Sequence, residues 1–214
     1  KDKTTNGCFA PWMMYKDEFL AIGGHDERFA SAREDSDVFN RLVLGGFELI
    51  QSWQSFVYHL TARGGQFQHG KLTKDHSQKS EEWQKLMDRS TREFYRKWGT
   101  PVRHDELMMP QVAPKYNIGF VVKNCTTDML YTLEPWCSTI YTDWGWKTYI
   151  TEEQFNTMYD LKDRVKSRLE SEPDNDIIIE FDIKELNNDN FNFIVNLPII
   201  LKDSGEVGDL TSIH

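Results

Sequence analysis

The chain has 214 residues, of which 39% are hydrophobic and 28% charged, and a formal net charge of -9, so its length and composition suit a globular protein with one large core or two small ones. The acidic balance excludes a general nucleic-acid binder, because such a protein displaces counterions from phosphates with clustered Lys and Arg. No apolar run reaches the length of a membrane span and the first six residues lack the core of a signal peptide, so we expect a cytoplasmic protein without a transmembrane segment.

Two short helices are predicted in the first 46 residues. The first covers residues 15–22 and ends at Gly23-Gly24, where a residue without Cβ can take the left-handed conformation that closes a helix. The second begins near Asp35, places its apolar residues on one face and ends at Gly45-Gly46.

A mixed segment follows and leads into a longer helix. Residues 47–53 and 55–60 combine aromatic and β-branched residues in short runs, which predicts two strands. Residues 62–74 are polar and rich in glycine, as in a loop that covers a substrate or in an ordinary surface loop. Apolar residues recur at helical spacing from 77 to 98, which predicts a helix that ends at Gly99.

The second half of the chain is predicted to be a separate α/β domain. Three prolines between residues 100 and 115 indicate a linker, since proline cannot donate a backbone hydrogen bond, so we predict domains at 1–99 and 116–214. Strands are predicted at 117–122, 138–141, 177–181 and 191–201, with helices at 127–134 and from a capping box of Thr151 and Gln154 onward. This alternation predicts an α/β layer structure in which the strand at 177–181 is covered on both faces. The loop after the first strand has no glycines with which to cradle a phosphate.

The main functional signal lies between residues 23 and 59. It runs Gly23-Gly24-His25-Asp26-Glu27-Arg28-Phe29, then Glu34-Asp35-Ser36-Asp37, Arg41, Gly45-Gly46-Phe47 and finally Val57-Tyr58-His59. This pattern resembles the second half of glycosyltransferase family 2 and related enzymes, and its acidic helix start also resembles the C-terminal region of the β-1,4-galactosyltransferases. The resemblance covers roughly residues 8 to 70. It implies that residues 1–99 are the acceptor-side half of a GT-A fold.

The resemblance implies an enzyme that transfers a sugar from a nucleotide-sugar donor to a glycan or another hydroxyl acceptor. An inverting transferase needs a carboxylate that takes the proton from the acceptor hydroxyl. Asp35 is our candidate for that base, and Glu34 is its neighbour that orients the acceptor. The alternative is that these carboxylates and Asp37 only cap the helix and complement its dipole. Arg41 is expected to form an ion pair with this acidic turn.

The other candidate residues concern binding. By resemblance, Asp26 and Glu27 lie at the acceptor pocket. Trp12 and Trp53 either stack on a sugar ring or belong to the core. His59 resembles the histidine that helps to hold a divalent metal, manganese or magnesium, which neutralises the leaving diphosphate.

One departure from the family limits these expectations. Family members carry their nucleotide-binding half first, ending in an Asp-x-Asp motif after an apolar strand, and residues 1–7 have no room for it. We therefore expect a truncated enzyme that binds an acceptor but not a donor, unless Glu180-Phe181-Asp182 supplies a metal motif in a rearranged order. Two other functions stay open, namely a non-catalytic carbohydrate-binding or assembly module, and a metal-dependent hydrolase that uses His59, His69 and His76 with Asp35 or Asp37.

Overall fold

The computed structural model describes residues 11–30, 32–50, 52, 54–58, 81–106 and 109–209. These described residues divide into two compact units, the first formed by residues up to Thr91 together with 102–111, and the second by 92–101 together with 112–209. The predicted linker therefore contributes residues to both units. In the described parts of the chain, no helix has the length and apolar character needed to cross a membrane.

The first unit is helical over much of its described length. It contains α1 (Lys16–Ala21), α2 (Glu34–Leu44) and the first part of α3 (Glu81–Trp98), in agreement with the predicted helices. After α1, Gly23 and Gly24 have φ values of 90° and 67°, which favour glycine. The small core of this unit consists of Ile22, Val38, Phe39, Leu42 and Leu49.

The two strands predicted between residues 47 and 60 are wrong over their described residues. Residues 47–50 and 54–58 have an irregular backbone, and Phe56 and Tyr58 are 88% and 90% exposed. A strand needs a neighbour for its backbone N–H and C=O groups, and the described part of this unit offers only an isolated bridge between His104 and Pro110. Aromatic and β-branched composition alone therefore does not produce strands here.

The second unit is built on a four-stranded parallel sheet, which confirms the α/β fold class. The strands are β1 (Ile118–Lys123), β2 (Thr139–Thr142), β3 (Val165–Ser167) and β4 (Ile177–Asp182), and their spatial order is β3-β2-β1-β4. The chain moves outward from β1 to β3 and then returns to place β4 on the other side of β1. The strand order therefore reverses between β1 and β4.

Helices pack on the apolar face of this sheet. They are α4 (Thr127–Leu133), α5 (Trp146–Glu153), α6 (Leu161–Arg164) and α7 (Asn188–Asp203), with 3₁₀ turns at 134–136, 154–156 and 183–185. Alternate residues of β1 point into the shared core, as the two-residue period of a strand requires. The core includes Ile118, Phe120, Val122, Leu130, Leu133, Ile140, Tyr149, Leu161, Ile194 and Leu197.

The helix predicted from the capping box at Thr151 and Gln154 begins earlier than expected. α5 starts at Trp146, so Thr151 lies inside the helix and its hydroxyl donates to a backbone carbonyl one turn earlier. A single helix continuing from this box would place Phe155 and Leu169 on its buried stripe, as the apolar spacing predicts, but they are 85% and 79% exposed. The chain forms α6 and β3 where the prediction continued one helix.

The strand predicted at 191–201 is also wrong, because these residues lie inside α7. Asn187 caps this helix, since its side-chain oxygen accepts from the backbone N–H groups of Asp189 and Asn190 at 2.9 and 3.1 Å. The prediction that β4 is covered on both faces is wrong too. β4 is an edge strand, and Ile178 is 50% exposed.

Candidate functional site

Arg41 ties the glycine turn after α1 to the acidic first turn of α2. Its Nη1 and Nη2 donate to the backbone oxygens of Ile22 and Gly24 at 2.5 and 2.6 Å. Its Nε and Nη2 lie 2.9 and 2.8 Å from Oδ2 of Asp37. The predicted ion pair of Arg41 with the acidic turn is therefore present. Both side chains are almost completely buried, so Asp37 holds the structure together and is not available to a substrate.

Asp35 lies in the same turn of α2 but in a different environment. It is half-buried, and its Oδ1 accepts a hydrogen bond from Nε1 of Trp12 at 3.3 Å. This is the only hydrogen bond to the Asp35 carboxylate from the described residues. Because an ionised carboxylate has about four acceptor positions, a single donor leaves lone pairs with which Asp35 can take a proton.

Glu34 precedes Asp35 and carries a buried oxygen that is not satisfied. Its Oε2 is buried without a hydrogen-bond partner among the described residues. A buried acceptor without a donor is costly, and such groups in native proteins call for a functional or structural explanation.

The backbone before α2 is strained. Ala32 and Arg33 have φ values of 64° and 70°, in the left-handed region that residues with a Cβ seldom enter. Arg33 Nε donates to the hydroxyl of Thr91 at 3.2 Å, which helps to hold this turn. Such conformations persist where the surroundings enforce them, and they cluster at functional sites. The turn fixes the direction from which α2 begins.

Trp12 makes aromatic contacts that agree with the core interpretation of this residue. Its ring centroid lies 5.5 Å from that of Phe19 and 6.3 Å from that of Phe39. His25 is exposed, and its ring lies 6.1 Å from Trp12 and 5.1 Å from Phe19. Sequence reasoning assigned no role to His25, and its only signal was its place inside the motif at 23–29.

Asp26 and Glu27, which were predicted at the acceptor pocket, have different environments in the structure. Asp26 binds within its own turn, since Oδ1 accepts from the backbone N–H of Arg28 and Oδ2 from its Nη1, both at 3.0 Å. Glu27 is exposed. Trp53 and His59 lie outside the described residues, as do His69 and His76. The structure thus brings together Asp35, Glu34, Trp12 and the turn held by Arg41.

The described residues do not provide a metal site. Over these parts of the chain, no group of three or more His, Cys, Asp and Glu side chains is arranged to share an ion. The alternative motif in β4 has both of its carboxylates engaged, Glu180 with Lys123 and Asp182 with Asn124, each at 2.7 Å. A divalent metal would need ligands from outside the described residues, such as His59.

Comparisons of the chain with protein-family models, curated proteins and solved structures give no match. Two features of the chain therefore bear on its function. One is the order of residues in the motif at 23–59, and the other is the geometry at the start of α2.

Proposed function

We propose that this chain is part of a glycosyltransferase of the GT-A type, which transfers a sugar from a nucleotide-sugar donor to a glycan or another hydroxyl acceptor with Asp35 as the base. The observation that supports it is the contrast between two carboxylates in one helical turn. Asp37 is fully buried and paired with Arg41, whereas Asp35 is half-buried and bound by a single indole N–H. If these carboxylates only capped the helix, neither the buried ion pair of Asp37 with Arg41 nor the hydrogen bond from Trp12 to Asp35 would be required.

In the proposed reaction, the acceptor hydroxyl attacks the anomeric carbon of the donor as the bond to the leaving diphosphate breaks. Asp35 takes the hydroxyl proton during the attack, which makes the oxygen a better nucleophile. The hydrogen bond from Trp12 orients the carboxylate, and Arg41 fixes α2 against the glycine turn, so the base is held in position before the acceptor arrives.

The divalent metal belongs to this proposal as a prediction from the resemblance. When bound, such an ion neutralises charge on the leaving diphosphate. The described residues do not supply its ligands, and the role of Asp35 as base does not depend on it.

The substitution Asp35→Asn tests the proposal. The amide oxygen still accepts from the Trp12 indole, while the group that takes the proton is lost. We expect kcat for sugar transfer by the full-length protein to fall about 10²- to 10⁴-fold, with little change in KM for the acceptor. The measurement is the appearance of glycosylated acceptor together with released nucleoside diphosphate.

A matched control is Asp17→Asn, which removes an exposed carboxylate from the first turn of α1. This variant is expected to keep the activity of the unmodified protein, because Asp17 lies in a different helix and its carboxylate is exposed. Undiminished transfer by Asp35→Asn would exclude Asp35 as the base.

A further inference from the structure

Arg33 is the residue at which the backbone turns into α2. Its backbone oxygen accepts from the N–H of Asp37 at 2.9 Å, as expected for the N-cap of the helix. Its side chain forms no capping hydrogen bond. Instead, Nε donates to the hydroxyl of Thr91 in α3 at 3.2 Å, and this is the only hydrogen bond of that side chain to the described residues.

The backbone conformation of Arg33 is one that an arginine does not favour. With φ at 70° it lies in the left-handed region, where the Cβ crowds the following carbonyl oxygen. Asn and Asp enter this region more readily because their short side chains form local hydrogen bonds. Arg33 has no such local bond, and its one contact comes from a residue 58 positions away in the chain.

Thr91 offers Arg33 a firm attachment point. It lies inside α3, a regular helix of 18 residues, and its neighbour Ser90 is completely buried. A hydroxyl on a packed helix has a defined position, as a residue that supports a functional group requires.

The path from Arg33 to the proposed base is short. Asp35 lies two residues further on, in the first turn of α2. Its carboxylate accepts from the Trp12 indole at 3.3 Å, which is already at the long end for such a bond. A small displacement of the turn would therefore break the contact between Asp35 and Trp12.

We infer that Arg33 is a positioning residue for the Asp35 carboxylate and that it acts through its attachment to Thr91. No contact between Arg33 and a substrate is required. This role rests on the proposed function in so far as Asp35 is the base, whereas the effect on the contact between Asp35 and Trp12 is independent of that function.

Proton–nitrogen NMR of the 214-residue chain tests that effect without a substrate. The indole N–H signal of Trp12, assigned with Trp12→Phe, should move in Arg33→Gly and in Thr91→Val toward its position in Asp35→Ala, which lacks the acceptor. Thr91→Ser keeps the hydroxyl and should leave the signal in place. Ala32→Gly is the matched control, because it also removes a Cβ at a positive φ, 64°, but leaves the Arg33 side chain intact.

Sugar transfer by the full-length protein tests the role in the reaction. We expect kcat to fall about tenfold in Arg33→Gly and in Thr91→Val, with KM for the acceptor unchanged, and to keep its original value in Thr91→Ser and Ala32→Gly. Because Arg33 acts on Asp35, Thr91→Val should cause no further loss when it is added to Asp35→Asn. The urea midpoint of Arg33→Gly should change little, because glycine relieves the strain at this φ while the hydrogen bond is lost.

An unchanged Trp12 signal in folded Arg33→Gly and Thr91→Val would overturn the inference. So would a loss of kcat in Asp35→Asn that neither of these two variants shares, and so would equal losses in Ala32→Gly and Arg33→Gly. Full transfer by Asp35→Asn is a separate failure, because it excludes the base itself and therefore the proposed function.

Discussion

Glu134 shows how one buried charge is made stable in the second unit. It is fully buried, and Nε and Nη2 of Arg96 donate to its Oε2 at 3.0 and 2.7 Å. Arg164 and the hydroxyl of Tyr149 donate to it at 2.5 and 2.9 Å. Burial by itself raises the pKa of Glu134, but Arg164 and Arg96 outweigh that effect and lower it to about 2. The carboxylate is therefore ionised at neutral pH.

Replacing Glu134 with Gln should strongly destabilise the protein. The substitution removes the carboxylate that pairs with Arg96 and Arg164, and of these two only Arg96 keeps another carboxylate partner, Glu93, among the described residues. Removing one partner of a buried ion pair typically costs about 3–5 kcal/mol. Urea unfolding followed by tryptophan fluorescence measures the change. Glu152→Gln, at an exposed position of α5, is the control and should leave the free energy of unfolding nearly unchanged. Equal stabilities of the two variants would show that the buried network contributes nothing.

The sequence predicted the ion pair of Arg41 with the first turn of α2, but it did not predict the ion pairs of Glu134. The reason is physical. Arg41 and Asp37 lie four residues apart, so they meet on one face of α2. Glu134 meets Arg96 and Arg164 from positions 38 and 30 residues away. Only the fold brings those side chains together. The motif likewise gives no means of telling Asp35 from Asp37, because only the folded structure shows that Asp37 is buried and Asp35 is not.

At the scale of elements, the sequence predicted α2 and α3, whose apolar residues recur at helical spacing, but it predicted a strand where the structure has α7. Residues 191–201 are rich in aromatic and β-branched side chains, which favour strands. In the structure they form a helix that packs Ile194 and Leu197 into the core, with Phe191 in an edge contact with Trp136 at 5.9 Å. Tertiary packing overrides local preference here. The cap at Asn187 was the local signal that favoured a helix.

The connection between α1 and α2 depends on the forked shape of Arg41. Arg41→Lys keeps the charge, but a single ammonium cannot reach two backbone oxygens and Asp37 in the same geometry. We expect a loss of about 1.5–3 kcal/mol in the free energy of unfolding, the range for hydrogen bonds that involve a charged group. Urea unfolding measures it. Arg28→Lys, at a more exposed pair with Asp26, is the control and should cost less than 1 kcal/mol, about the value of an exposed ion pair. A similar cost at both positions would contradict this account.

At the scale of the whole molecule, fold class and candidate chemistry come from different halves of the chain. The parallel sheet that defines the α/β class belongs to the second unit, while the glycosyltransferase motif belongs to the first. The described part of the first unit contains no sheet, so the GT-A fold there is a proposal carried by the motif. Short runs of apolar and β-branched residues predicted β1, β2 and β4 of this sheet, but not β3, whose residues were assigned to a helix. β3 has only three residues, which is too few for the two-residue period of a strand to be distinguished from a helical one.

The low pKa of Glu134 also predicts how the stability of the whole chain responds to acid. The carboxyl has an ordinary value of 4.5 and a folded-state value of about 2, so the unfolded chain takes up its proton first. Its contribution to stability is therefore fully present above pH 4.5 and is lost as the pH falls toward 2. Urea unfolding across this interval should show a falling free energy of unfolding, with a shallower fall in Glu134→Gln because the variant has no carboxyl to titrate. An equal pH dependence of the free energy of unfolding in both proteins would show that Glu134 does not contribute to the loss of stability in acid.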